Sequence, residues 1–246
     1  MHLDVALIPA AARTDDGSVL IVIDQIRASA TIVTLLDVGC PDVFLAGNAA
    51  AARRIARETG SLLAGEWRAR KPADFDFDNS PSEIARAGLQ GRSVVLSTTN
   101  GTAILHRVRA ATYVLVGCLR NARACARAAV GLADRDGLGI RIVCAGLHGR
   151  LVLEDAVAAG EIARGVLAEA AARAIDVQVL DSAVAAMRLR EAEGDMVVAM
   201  TECDGGRTLR RIAQTEDIAY CAAVDATATV PVILAGPPMR AERLDD

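Results

Sequence analysis

Short apolar runs alternate with segments of helical periodicity along the first 150 residues. The run at residues 19–23 is continuous, rich in β-branched side chains and ends at Asp24, which predicts a strand buried on both faces. A helical segment at residues 28–38 follows it and ends at Gly39. Similar runs predict strands at residues 43–45, 61–64, 93–97, 113–116 and 140–144. This alternation indicates βαβ units around a largely parallel sheet.

The chain after residue 150 is mostly helical until a last apolar run at residues 230–234. No low-complexity linker and no clear repeat separates the two parts. We therefore expect an α/β fold with one domain over residues 1–246. A division into two subdomains stays open, because the composition marks no boundary.

The composition limits the kinds of ligand. Of 246 residues, 52% are hydrophobic and only 2% are aromatic, so stacking platforms for single-stranded nucleic acid are not expected. The net charge of -4 gives no general attraction to nucleic acid or to anionic membranes. An anionic ligand therefore needs a local cluster of positive groups.

The six cysteines include no C-x-x-C pair, which disfavours a disulfide framework or a zinc site. The N-terminus shows no basic region followed by a long apolar stretch, and no apolar run approaches the ~20 residues that span a bilayer. These features predict a cytoplasmic protein without a membrane partner.

Polar side chains follow five of the predicted strands where each strand ends. Ligands of doubly wound sheets bind at the carboxyl ends of strands, where loops lead into helix N-termini. The side chains at these positions include Asp24, Glu66, Thr98, Asn121, Glu154 and Asp155. The carboxylate oxygens among them suit a hard cation such as Mg²⁺. Asp24 is equally suited to cap the helix that follows it.

The stretch Thr98-Thr99-Asn100-Gly101-Thr102 is the best candidate for an anion-binding loop. Small hydroxyl side chains and a glycine at a helix start expose backbone N–H groups, and the helix dipole favours negative charge there. Simple N-capping by Thr or Asn explains the same residues. Both interpretations stay open from the sequence.

Lys71 is the only lysine among 27 basic residues. A lysine ammonium is a compact, strongly hydrated charge that suits a phosphate oxygen or a proton-transfer position, whereas arginine offers a rigid fork. The neighbours Glu66, Asn79 and Ser80 favour a functional role for this lysine over a chance surface position.

Several motifs in fixed order resemble the 2-phosphosulfolactate phosphatase (ComB) family. The family segment D-V-L-R-A-T-T-T-I matches residues 24–32, with departures at Gln25, Ile26 and Ala30. Further matches follow in order at Gly65-Glu66, Lys71-Pro72, Phe75-Asp76, residues 79–81, residues 98–102, Gly117, Asn121, residues 144–146, Gly149, Glu154-Asp155, residues 206–209, Asp217-Ile218 and Val230-Pro231. The resemblance covers about residues 20–235.

The resemblance implies a Mg²⁺-dependent acid phosphatase that hydrolyses (2R)-2-phospho-3-sulfolactate to (2R)-3-sulfolactate and phosphate, the second step of coenzyme M biosynthesis. It also implies three α/β/α layers with a largely parallel or mixed central sheet. Asp24 would be the central acid, either as a metal ligand or as the nucleophile, and Lys71 would act in catalysis. The other implied metal ligands are Glu66, Glu154 and Asp155. The implied substrate contacts are Arg27, Ser29, Asn79, Ser80, residues 98–102 and Arg150, with Arg68 and Arg70 as further candidates for the sulfonate and carboxylate.

Two other functions stay open from the sequence. A phosphatase of another phosphorylated 2-hydroxy acid would differ only in its arginine pocket, and a non-catalytic phosphate-ligand sensor would need the anion site but not the acids. In each case the expected partner is a small anionic phosphate ester. The alanine-rich helices after residue 150 are also compatible with a homodimer.

Overall fold

The strands of the protein form one mixed sheet in the order β4-β5-β3-β10-β9-β6-β2-β7-β1-β8. The computed structural model describes residues 1–12 and 17–244. The strands in these residues are β1 (His2–Ala6), β2 (Ser18–Ile23), β3 (Val43–Ala46), β4 (Leu62–Gly65), β5 (Val94–Ser97), β6 (Tyr113–Val116), β7 (Gly139–Cys144), β8 (Gln178–Val179), β9 (Pro231–Leu234) and β10 (Arg240–Arg243). All seven predicted strands are confirmed to within one residue at each end, whereas β1, β8 and β10 are not among them.

Helices cover both faces of this sheet, which makes three α/β/α layers and confirms the predicted fold class. They are α1 (Ala28–Asp37), α2 (Ala49–Thr59), α3 (Pro81–Arg86), α4 (Gly101–Val108), α5 (Ala122–Asp136), α6 (Leu153–Ala172), α7 (Asp181–Ala192), α8 (Met196–Glu202), α9 (Asp204–Arg211) and α10 (Glu216–Ala222). Across residues 1–12 and 17–244, none of them is both long enough and apolar enough to cross a membrane.

Strand β2 shows why the central strands are continuously apolar. Val19, Ile21 and Ile23 pack into a core cluster that includes residues of α5 and α6. Leu20 and Val22 pack into a second cluster, which includes residues of α1 and α4. Because both faces of the strand lie under helices, successive side chains must all be apolar.

The hairpin of β9 and β10 divides the sheet into two parallel groups that run in opposite directions. One group contains β4, β5 and β3, and the other contains β6, β2, β7, β1 and β8. β10 is antiparallel to β3 and to β9, and β9 is antiparallel to β6, so the direction reverses between the groups. The sheet is therefore mixed, with two parallel groups in place of one.

Candidate active site

A cavity of about 580 Å³ lies where loops from the two strand groups meet. The loops after β2 and β7 line it from one group, and the loops after β4 and β5 line it from the other. The start of α9 also lines it. The carboxyl ends of four strands thus open into one cavity, although the two groups run in opposite directions.

Nine of the fifteen predicted site residues line this cavity. They are Asp24, Arg27, Glu66, Asn79, Thr98, Thr99, Asn100, Glu154 and Asp155. The other six, Ser29, Lys71, Ser80, Gly101, Thr102 and Arg150, are not part of its lining. The strand-end residue Asn121 also lies elsewhere: it is fully buried and donates hydrogen bonds to the backbone oxygens of Val116 and Thr229.

Lys71 and Arg150 are both exposed outside the cavity lining. The Lys71 ammonium donates to the backbone oxygen of Phe75 at 2.9 Å and to that of Asp76 at 3.4 Å. It therefore holds the loop that follows it, and its position gives no support to the predicted catalytic role. Arg150 ends a tight hairpin, with backbone hydrogen bonds to Leu147 in both directions at 3.0 Å.

Asp24 follows β2 directly and lies in the cavity wall. Its Oδ1 accepts the N–H of Ala28 at 3.2 Å, while its own N–H donates to Ser29 Oγ at 2.8 Å. Burial raises the pKa of Asp24 to about 6; the Ala28 N–H opposes this rise, and the charges of Glu66 and Glu154 add to it. Asp24 therefore supports the start of α1 and also presents a perturbed carboxyl to the cavity.

Asp155 connects the loops after β2 and β7. Its Oδ1 accepts the N–H of Gln25 and its Oδ2 accepts the N–H of Gly146, both at 2.8 Å. Burial raises its pKa well above the usual value, and the nearby charges of Asp24 and Glu154 act in the same direction. Both oxygens of this buried carboxyl are thus used to position the loops.

Glu154 differs from its neighbour in having a free oxygen. Its Oε1 accepts the N–H of Gly205 at 2.8 Å. Its Oε2 is buried and has no hydrogen-bond partner in the part of the chain that the structure describes. Burial raises the pKa of Glu154, and the charge of Asp204 also raises it. A buried carboxylate oxygen without a donor carries a desolvation cost that a bound cation would remove.

Glu66 connects two loops of the other strand group, as Asp155 connects the loops after β2 and β7. Its Oε1 accepts the N–H of Thr99 at 2.7 Å. Its Oε2 accepts the N–H of Ala69 at 2.6 Å and the hydroxyl of Thr99 at 3.0 Å. The loops after β4 and β5 are therefore joined through one carboxylate.

The loop at residues 98–102 is mostly satisfied by its own side chains. Thr98 Oγ1 accepts the N–H of Thr102 at 3.1 Å, and Thr102 Oγ1 accepts the N–H of Thr98 at 3.3 Å. With the Thr99 N–H bound to Glu66, three N–H groups of this loop are already used inside the protein. This arrangement favours capping over the anion-binding interpretation. A Cβ on Gly101 would lie 2.4 Å from Ala28 Cβ, so only glycine allows the starts of α1 and α4 to touch.

Arg27 lies in a buried network with Asp78, Gln214 and Asp217, which we call the Arg27 network. Its Nη1 donates to Asp217 Oδ2 at 2.8 Å and to Gln214, and its Nη2 lies 3.5 Å from Asp78 Oδ1. Ser80 donates to Asp217 Oδ1 at 2.8 Å, which explains its position outside the cavity lining. Asp217 appears among the resemblance motifs, whereas Asp78 and Gln214 have no signal in the sequence pattern.

The start of α9 is a part of the cavity that the strand pattern does not predict. Asp204, Gly205, Thr208 and Leu209 line the cavity there. A Cβ on Gly205 would lie 2.6 Å from Glu154 Oε1 and 3.0 Å from Ile26 Cβ. The Gly205-Gly206 pair was the available signal, because glycine permits such close approach of the backbone.

Two of the four predicted metal ligands have carboxylate oxygens that suit a Mg²⁺ ion. Within residues 1–12 and 17–244, no group of three or more His, Cys, Asp or Glu side chains is placed to hold a metal. Mg²⁺ usually takes one or two carboxylates and keeps several waters. Glu66 and Asp155 already accept N–H groups on both oxygens. The donor set therefore fits an ion held by Asp24 and Glu154.

Comparison with known proteins gives one consistent result. The family model described as 2-phosphosulpholactate phosphatase matches residues 4–236. A Deinococcus radiodurans protein named "Probable 2-phosphosulfolactate phosphatase" is 38% identical over 239 residues, covering 96% of this chain and 95% of the relative. A protein of the same name from Thermus thermophilus is 36% identical over 216 residues, covering 87% of this chain and 87% of the relative. Another from Thermotoga maritima is 31% identical over 217 residues, covering 88% of this chain and 89% of the relative. The chain therefore belongs to the 2-phosphosulfolactate phosphatase family.

Proposed function

We propose that this protein is a Mg²⁺-dependent acid phosphatase that hydrolyses (2R)-2-phospho-3-sulfolactate to (2R)-3-sulfolactate and phosphate. The observation that carries the proposal is the Asp24 carboxyl, which ends a central strand, lies in an acid-lined cavity and has its pKa raised to about 6 by burial. Perturbed carboxyls of this kind cluster at active sites. The names of the relatives supply the substrate.

Asp24 and Glu154 are the residues that would hold the metal ion. When bound, Mg²⁺ neutralises charge on the phosphoryl oxygens and so favours attack at phosphorus. Glu154 offers Oε2, which has no hydrogen-bond partner among the described residues. Its charge also raises the pKa of Asp24, as the charge of Glu66 does. Asp155 would position the site without binding the ion, because its two hydrogen bonds hold the loops that carry Asp24 and Gly146.

Hydrolysis forms one P–O bond to the oxygen of water and breaks the ester P–O bond, and the departing alkoxide receives a proton. Asp24 has two possible roles in this exchange. It can orient a water molecule for direct attack, or it can attack phosphorus itself and be released by water in a second step. The configuration at phosphorus distinguishes the two: with an ester made chiral at phosphorus by isotopes, the covalent route has two displacements and retains the configuration, whereas direct attack by water has one and inverts it.

The experiment that tests the proposal is phosphate release from 2-phosphosulfolactate by the purified protein, with Mg²⁺ and with EDTA. We expect turnover with Mg²⁺, little with EDTA and little for Asp24→Asn under either condition. Faster cleavage of phospholactate or phosphoglycolate would keep the reaction class and reject the named substrate. Tight phosphate binding without turnover on any ester would favour a sensor instead.

A further inference from the structure

Two hairpins of the same construction stand at the cavity, one after β4 and one after β7. In the β4 hairpin (residues 67–70), Trp67 and Arg70 exchange backbone hydrogen bonds of 2.9 and 3.2 Å. In the β7 hairpin (residues 147–150), Leu147 and Arg150 exchange two bonds of 3.0 Å. One hairpin thus comes from each of the two oppositely directed strand groups.

Each hairpin presents one side of its turn to the cavity and one away from it. Arg68 and His148, the first turn residues, both have a φ of 52° and both line the cavity. Arg70 and Arg150, the last hairpin residues, are exposed and are not part of the lining. Left-handed φ values in residues other than glycine are uncommon, so two of them in matching positions indicate a specified geometry.

Each hairpin, or the residue just before it, donates an N–H to a carboxylate that lines the cavity. Glu66 Oε2 accepts the N–H of Ala69 in the β4 hairpin at 2.6 Å. Asp155 Oδ2 accepts the N–H of Gly146, just before the β7 hairpin, at 2.8 Å. The N–H of Arg68 also donates to Thr99 Oγ1 at 3.2 Å. The two hairpin loops are therefore anchored to Glu66 and Asp155, two of the acids that line the cavity.

The balance of charge in the cavity makes Arg68 important. Five acids line it, namely Asp24, Glu66, Glu154, Asp155 and Asp204. The two arginines in the described lining are Arg27 and Arg68, and Arg27 is already paired with Asp78 and Asp217. No ion pair of the described chain involves Arg68, whose guanidinium carbon lies 5.9 Å from the Trp67 ring centroid. An anionic group that binds away from the acids can therefore pair with the Arg68 guanidinium at this hairpin.

We propose that the tips of the two hairpins, Arg68 and His148, form a subsite for an anionic group of the substrate other than the phosphate, and that Arg68 supplies the permanent positive charge of this subsite. This inference rests on the proposed function and adds the part of the cavity that recognises the end of the substrate away from phosphorus. A guanidinium offers a planar pair of donors to the oxygens of a sulfonate or carboxylate. His148 supplies a ring N–H from the opposite strand group.

The test uses two ligands, each of which contains one part of the substrate. Equilibrium binding of (2R)-3-sulfolactate and of inorganic phosphate, the latter with Mg²⁺, is measured by calorimetry for the wild type and four variants: Arg68→Gln, Arg68→Lys, His148→Gln and Arg70→Gln. We expect Arg68→Gln to weaken sulfolactate binding about tenfold or more and His148→Gln to weaken it severalfold. Arg68→Lys falls between, because it keeps the charge and loses the fork. Arg70→Gln removes the same charge from the same hairpin and leaves binding unchanged.

Phosphate binding identifies an indirect effect, because phosphate occupies the acid end of the cavity. If Arg68→Gln weakens both ligands equally, or weakens sulfolactate no more than Arg70→Gln does, the subsite is rejected. Absence of sulfolactate binding to the wild type also rejects it. A separate assay of phosphate release from 2-phosphosulfolactate and 2-phospholactate tests the proposed function. Wild-type protein that binds sulfolactate through Arg68 but cleaves neither ester would keep the subsite and reject the phosphatase.

Discussion

Two groups of buried and half-buried acids, one around Arg27 and one around Asp24, are stabilised in different ways. In the Arg27 network, Asp78 and Asp217 share a buried guanidinium, and Asp217 also accepts from Ser80 and from the N–H of Ser82. In the acid centre, by which we mean Asp24, Glu154 and Asp155, the donors are backbone N–H groups, and Glu154 Oε2 has none in the described chain. Buried charge without a counter-charge is costly. The comparison therefore separates a network in which buried charges are paired from a centre whose desolvation cost either protonation or a bound cation would relieve.

The largest expected effect is on turnover, at the acid centre. Replacing Asp24 with Asn removes the carboxylate that would bind the ion or attack phosphorus, and we expect kcat with 2-phosphosulfolactate and Mg²⁺ to fall about 10³-fold or more. The folded protein should not lose stability at pH 7.5 in EDTA, because the substitution removes repulsion with Glu66 and Glu154. Activity assays and thermal unfolding on the same preparation measure both.

Asp74→Asn is a suitable control for that variant. Asp74 is an exposed carboxyl, and its hydrogen bond to Arg53 lowers its pKa to about 2. Its loss should leave turnover intact and should not raise the melting temperature. Full turnover by Asp24→Asn would remove the acid centre from the mechanism.

The Arg27 network should show the opposite behaviour, with a large loss of stability. Asp217→Ala leaves the guanidinium of Arg27, which is 4% exposed, without its nearest carboxylate at 2.8 Å. Breaking a buried pair by removing one partner costs about 3–5 kcal/mol. Urea unfolding at pH 7.5 should show this loss, with little change when salt is added, since buried pairs are poorly screened.

The neighbouring residue Glu216 gives a matched comparison on the same helix. Its ion pair with Arg86 is exposed on both sides, at 70% and 66%, so Glu216→Gln should change stability by less than about 1 kcal/mol. The double variant Arg27→Gln with Asp217→Asn removes both charges and should cost less than the sum of the single substitutions. Additive costs would mean that the two side chains do not stabilise each other.

The positions of strands and of the cavity could be predicted from the sequence, because each depends on local pattern. Apolar runs locate seven strands, and the polar residues that end them locate most of the acids. Gln25 and Ala30, where the chain departs from the family segment, prove to be buried away from the cavity lining. Gln25 Nε2 donates to the backbone oxygen of Cys221 at 2.8 Å, so this departure concerns packing against α10.

The features that the sequence pattern does not predict come from contacts between residues far apart in the chain. The pairing of Arg27 with Asp217 joins residues 190 positions apart. The reversal of strand direction likewise depends on β10, a short polar strand near the end of the chain. Such contacts follow from topology, which periodicity does not specify.

A third prediction concerns the effect of Asp24 on how the stability of the protein depends on pH. Asp24 releases its proton near pH 4 in the unfolded chain and near pH 6 in the folded protein without metal. Between these values the folded state holds more protons, so the free energy of unfolding falls as pH rises through this window and stays lower above it. The change is about 3 kcal/mol at most.

The difference in the free energy of unfolding between the wild type and Asp24→Asn isolates this change from the titration of other groups. Urea unfolding in EDTA should show the two proteins converging toward pH 4 and separating above pH 6. Mg²⁺ added above pH 6 should stabilise the wild type and not the variant. A difference that is constant across pH would show that Asp24 titrates normally.

The smallest expected effect lies in the loops that carry the acids. Thr99 Oγ1 donates to Glu66 Oε2 at 3.0 Å and accepts the N–H of Arg68 at 3.2 Å, so Thr99→Val removes two hydrogen bonds and keeps the shape of the side chain. We expect a stability loss of about 1–2 kcal/mol, because the Thr99 N–H still holds Glu66 Oε1 at 2.7 Å. The consequence should be larger for ligand binding than for folding, since the lost bonds position the Arg68 hairpin rather than the core. Thr99→Ser, which keeps the hydroxyl, should restore binding; if Val and Ser behave alike, the hydroxyl does not position the hairpin.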